Sequence, residues 1–81
     1  VRIDLFLKNT LLFKKRSEAK RMCNHNLVRV NGHTVKPSKV ITQGDIIEID
    51  TTKGVKKLRI LEIPEGNVKK NEVTLYYEEY Q

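Results

Sequence analysis

The sequence predicts a small α+β domain: two short helices followed by a run of hairpin-forming strands. Three observations carry this. Ile3, Phe6 and Leu7 recur at i, i+3 and i+4, with Leu11 at i+8, which makes one apolar helical stripe over Arg2 to Asn9. Ala19, Met22 and Cys23 repeat the same spacing behind Ser17. Val28-Arg29-Val30 then alternates with period two into Asn31-Gly32, the strongest two-residue hairpin signal, and His33-Thr34-Val35 returns.

The elements follow in order. Asp4 falls in the first turn of helix one, where a carboxylate favours the positive end of the helix dipole; it is also placed to orient a nearby cation such as Arg16. Lys8 lies off the apolar stripe and is expected to face solvent. Leu11, Leu12 and Phe13 are expected to plug the core between the helices. Ser17 is expected to cap helix two, with Glu18 supporting its first turn. There is no full capping box, because Lys20 stands three residues after Ser17. Asn24 and Asn26 tolerate left-handed backbone and can end that helix. Lys36-Pro37-Ser38-Lys39 reads as a loop and Gln43-Gly44-Asp45 as a turn. Ile46 to Ile49 reads as a strand, Thr51-Thr52-Lys53-Gly54 as a hairpin turn, and Val55 to Ile63 as the returning strand. Pro64-Glu65-Gly66-Asn67 breaks it. Val73 to Tyr80 is a strand or a short helix, and pattern alone leaves both open.

Eighty-one residues at 38% hydrophobic and 32% charged make one folded domain with a modest core. No apolar run approaches the roughly 20 residues that span a bilayer. No signal-peptide layout opens the chain. A single cysteine makes no internal disulfide. A cytoplasmic protein is expected.

The net charge of +6 is lopsided. Residues 1–39 hold ten Lys/Arg against Asp4 and Glu18, or +8; residues 40–81 hold six against eight acids, or −2. Such a distribution points to an anionic partner for the N-terminal half. Lys14, Lys15 and Arg16 crowd the start of helix two, where backbone amides already favour an anion. Lys20 and Arg21 project from that helix, and Arg29 and Lys36 extend the charge onto the hairpin. A compact basic corner of this kind suits the shape and phosphates of structured RNA better than a lone helix in a DNA groove.

Catalysis is not expected. Cys23 is a core residue, and His25 and His33 lack metal-site spacing. The four glycines are scattered at turns, so no phosphate loop forms. Ser17 has no evident base, and Glu78 and Glu79 are adjacent on a tail. No cofactor is expected.

The motifs Arg2-Ile3-Asp4-x-Phe6-Leu7, Lys-Lys-Arg-Ser-x-Ala-Lys, Val-x-Val-Asn-Gly, Val-Lys-Pro-Ser and Gly-Asp-x-Ile occur in that order over residues 1–50. Together they resemble the RNA-binding domain first described in ribosomal protein S-four. The resemblance implies two packed N-terminal helices on a small twisted antiparallel sheet (the alpha-L RNA-binding motif) over residues 1–63. A short C-terminal extension, 64–81, would pack on or near it. In size the chain is similar to the free-standing bacterial branch that holds heat-shock protein fifteen and its relative in ribosome-associated quality control. That branch implies docking on 23S ribosomal RNA and tRNA of a large subunit carrying a stalled peptidyl-tRNA; a monomer is expected. The implied RNA-binding residues are Arg2, Lys8, Lys14, Lys15, Arg16, Lys20, Arg21, Arg29 and Lys36, with Asp4 orienting them and Arg16 foremost. Leu11 and Leu27 stand where relatives often carry a basic residue, and Asn26 where they usually carry Gly. A protein-interaction module built on the tyrosine-containing tail and a duplex DNA binder are the competing readings.

Overall fold

The computed structural model describes residues 1–80; Gln81, the end of the expected C-terminal extension, lies outside them. Two helices, α1 (Ile3–Asn9) and α2 (Arg16–Asn24), precede strands β1 (Val28–Val30), β2 (His33–Thr34), β3 (Ile46–Thr51) and β4 (Gly54–Ile60). A 3-10 helix (Lys70–Leu75) and strand β5 (Tyr77–Tyr80) follow. The strands form one antiparallel sheet in the order β2-β1-β3-β4-β5.

Alternation decides the faces. Val28, Val30, Ile47, Ile49, Leu58 and Ile60 point one way and meet Ile3, Phe6 and Leu7 of α1 and Ala19 and Cys23 of α2. These residues, with Ile41, are at most 3% exposed and constitute the core. A helix of seven residues does not hold itself together in water, so this burial is what keeps α1 formed.

Both helices stop by a left-handed residue. After α1, Leu11 has φ 66° and donates to the Lys8 carbonyl, while Thr10 Oγ1 donates to the Phe6 carbonyl at 2.7 Å. The expectation that Leu11 plugs the core is therefore wrong. The residue just past a helix end points outward, and Leu11 is 51% exposed. Leu12 and Phe13 do pack against the core. After α2, Asn26 takes φ 60° and donates to the Cys23 carbonyl, and the Leu27 N–H reaches back to Met22. Leu27 and Met22 line one shared groove, the apolar contact that accompanies this type of stop. Asn24 remains helical, and His25 occupies the cap.

Ser17 does not cap α2. Lys15 holds the cap position in extended backbone with no side-chain cap bond, and Ser17 is the second helical residue. The start of α2 is fixed instead by the ion pair that Arg16 makes with α1.

The hairpin forms as expected. Asn31 (φ 52°) and Gly32 (φ 86°) both take left-handed backbone, the requirement of the tight turn that matches strand twist. Asn31 also accepts from the Ile46 N–H at 3.0 Å and donates to Asp45 at 3.1 Å, pinning the turn to the start of β3. β4 ends at Ile60, three residues before the expected Ile63. The tail contains both kinds of structure that its pattern left open, a 3-10 turn and then β5 along the edge of β4.

Candidate RNA-binding surface

The surface is built around Asp4. Its side chain is fully buried at the start of α1. Oδ1 accepts from the Leu5 N–H at 2.8 Å, and Oδ2 accepts from Arg2 at 3.0 Å. Arg16 Nε lies 3.3 Å from the same Oδ2; this nitrogen is buried and makes no hydrogen bond, so the charge of Asp4 is its compensation. The carboxylate thus holds one arginine before each helix's first full turn, while both side chains stay 40–45% exposed. Two guanidinium groups are presented to solvent from fixed bases.

Other cations gather by backbone. The Ile3 N–H donates to the Lys39 carbonyl at 2.8 Å, and Arg2 bridges to Val40. This brings the 36–40 loop against the start of α1 and adds Lys39, which its loop setting in the sequence did not single out. Lys36 is exposed; it shares a concavity of about 700 Å³ with His33 and Lys39 on one side, and a smaller one with Asn24 and Asn26 on the other. Lys14 and Lys15 are exposed on the strip leading into α2, and Lys20 and Arg21 are exposed on α2 itself.

Two residues differ from expectation. Lys8 is half-buried rather than solvent-facing, with its ammonium donating to Asn67 Oδ1 at 2.5 Å. Asn67 and Val68 of the C-terminal extension meet the last turn of α1 there. Arg29 is not brought together with Arg2 and Arg16. Strand alternation turns it to the sheet face away from the helices, where it binds Asp50 through two hydrogen bonds of 3.0 and 2.7 Å and approaches Glu48 at 3.8 Å. Its side chain is 23% exposed.

That pair has a pH signature. The hydrogen-bonded Arg29 holds the Asp50 carboxyl below its ordinary value, and Asp50 in turn raises Arg29. A depressed carboxyl stabilises the fold fully above its unfolded pKa, about 3.9, and loses that contribution as pH falls through the lower folded value. The stability gap between the native chain and Asp50→Asn should stay constant above about pH 5 and close below about pH 4, which denaturant titrations at a series of pH values would read.

Cys23 is 1% exposed, and burial, with Asp4 nearby, pushes its thiol up to about 11, so thiolate is scarce at neutral pH. His25 and His33 are both exposed. Among the described residues, no group of three His, Cys, Asp or Glu could hold a metal, and no helix is long and apolar enough to cross a membrane.

Two short helices packed on one antiparallel sheet make a fold of the S4 class. The S4 domain model matches residues 1–47, and the chain belongs to this family. Among relatives, the RQC P-site tRNA stabilizing factor of Helicobacter pylori strain J99 is 42% identical over 77 residues, spanning 94% of this chain and 92% of that one. The factor of the same name from Halalkalibacterium halodurans is 33% identical, spanning 96% and 88%. Among solved structures, the trimeric Heat Shock Protein 15 of Vibrio cholerae superposes with a TM-score of 0.92 at 30% identity, covering 99% of this chain and 81% of that chain.

Proposed function

We propose that this protein binds structured RNA of the large ribosomal subunit and stabilises the P-site tRNA there during ribosome-associated quality control. The observation that carries the reading is the buried Asp4 carboxylate clamping Arg2 and Arg16 at the helix starts, among exposed lysines. The guanidinium ends face solvent, so the clamp leaves N–H donors open to a ligand. It suits phosphate, which accepts paired N–H bonds from arginine. The names of the relatives support tRNA as a partner.

The contact residues in this reading are Arg2, Lys14, Lys15, Arg16, Lys20, Arg21, Lys36 and Lys39, with Asp4 positioning the two arginines. Lys8 contributes beside Asn67, and Arg29 acts chiefly by tying β1 to β3. The mechanism is electrostatic docking with shape readout, without bond chemistry, and the setting is the cytoplasm.

If about six cations neutralise phosphates, log affinity for purified large subunits falls with log salt at a slope of roughly −4 to −5. Arg16→Ala weakens binding and lowers the slope by about one; because it leaves the buried Asp4 with one arginine fewer, binding is compared where both chains are folded. A slope near zero for the native chain overturns the reading. Equal loss of folding and binding in Arg16→Ala makes Arg16 structural.

A further inference from the structure

The C-terminal half carries −2 overall, so its lysines drew no attention in the sequence. The fold separates them. Lys56 pairs with Glu79 at 3.1 Å, Arg59 with Glu78, and Lys57 lies 5.3 Å over the Tyr80 ring. Three cations remain: Lys53, Lys69 and Lys70. All are exposed, and among the described residues no carboxylate lies within 4 Å of their ammonium groups. Lys53 sits in the β3–β4 turn.

Lys69 and Lys70 sit elsewhere. Val68, 7% exposed, donates its N–H to the Asn9 carbonyl at 3.0 Å, and Asn67 receives the Lys8 ammonium. Two successive residues are thereby fastened to the last turn of α1, and Lys69-Lys70 follows at once. No more than two residues, about 7 Å of chain, separate Lys70 from that anchor. Lys8, Lys69 and Lys70 thus make a second basic cluster at the far end of α1 from Arg2 and Arg16.

The strip between the clusters is basic too. The Phe13 N–H donates to the Leu7 carbonyl near the end of α1, whereas Arg16 meets Asp4 at its start. The chain from 13 to 16 therefore runs back along α1, in extended backbone at Lys15, and carries Lys14 and Lys15 between the two ends. A track results: Lys39, Arg2 and Arg16, then Lys15 and Lys14, then Lys8, Lys69 and Lys70. A line of cations fits a nucleic-acid backbone, whose charges are themselves in line.

We infer that the C-terminal extension is part of the RNA-binding surface, with Lys69 and Lys70 contacting the phosphodiester backbone of the RNA that Arg2 and Arg16 engage. The inference rests on the RNA-binding reading above.

The test measures affinity for purified large ribosomal subunits between about 50 and 200 mM salt, for the native chain, Lys69→Gln/Lys70→Gln, Lys69→Arg/Lys70→Arg and Lys53→Gln. The glutamine pair should make the slope shallower by about 1.5–2, while the arginine pair and Lys53→Gln keep the native slope. A native slope retained by the glutamine pair overturns this inference and leaves the Arg2–Arg16 reading intact. A native slope near zero overturns the RNA-binding reading itself. A fall about half as large in Lys53→Gln, which removes one charge where the pair removes two, means that overall charge, not the track, sets affinity, and also overturns the inference.

Discussion

Phe6→Ala should lower the free energy of unfolding by about 3–5 kcal/mol, read by denaturant titration. Phe6 is fully buried at the centre of the α1 stripe, and its ring is the bulkiest side chain in the core. Deletion removes its transfer energy and leaves a cavity between α1 and the sheet, because the strands on the far side are fixed by pairing to one another. A chain of this size has only about 5–15 kcal/mol of stability to lose. The loss should also reach function. Arg2, Asp4 and Lys8 are mounted on or beside α1, and a seven-residue helix has no stability of its own apart from that packing. RNA affinity should fall where the variant is partly unfolded and recover toward the native value at lower temperature. A loss below about 1 kcal/mol would mean the core closes over the cavity and α1 is held by other contacts.

Local chemistry was legible in the sequence wherever one residue type suffices to dictate backbone. Asn31-Gly32 requires a tight hairpin, and the i, i+3, i+4 stripes of Ile3-Phe6-Leu7 and Ala19-Cys23 bury as their spacing demands. The pairing of Asp4 with Arg16 was legible in part, because Asp4 is one carboxylate amid many cations. Tertiary partners were not legible. Leu11 is apolar and in register with α1, yet the helix stop turns it outward. Ser17 is a good cap, but the Arg16–Asp4 contact accompanies a start of α2 two residues earlier, with Lys15 at the cap. Arg29 looked like part of the basic patch because its acceptor, Asp50, is 21 residues away and identified only by strand register. Lys69 and Lys70 were hidden by the opposite error: summed with the eight acids of residues 40–81, they disappeared into a half that carries −2.

Asp4→Asn should weaken RNA binding about 5- to 30-fold, although it raises the net charge of the chain from +6 to +7. Two effects oppose each other. A phosphate held on the far side of either guanidinium lies about 7 Å from Asp4, two charge-assisted hydrogen bonds plus the width of the group. Removing the carboxylate relieves a repulsion of about 0.6 kcal/mol in bulk water, or about 2 kcal/mol at an effective dielectric of 20. Screening with a Debye length of about 8 Å more than halves either figure. Against this, Arg2 and Arg16 lose the acceptor that fixes them before RNA arrives, and each ordered side chain then costs about 0.5–1.5 kcal/mol at the moment of binding. Positioning outweighs repulsion by about 1–2 kcal/mol at physiological salt. Stability should fall as well, because the buried Arg16 Nε loses its compensating charge and faces an amide that is half donor. Binding is therefore compared at a temperature where both proteins are folded. The salt slope should stay near the native value, since every phosphate contact remains available, and this distinguishes lost positioning from lost contact. Tighter binding by Asp4→Asn would mean that Asp4 acts on RNA only as a charge, and that the arginines need no clamp.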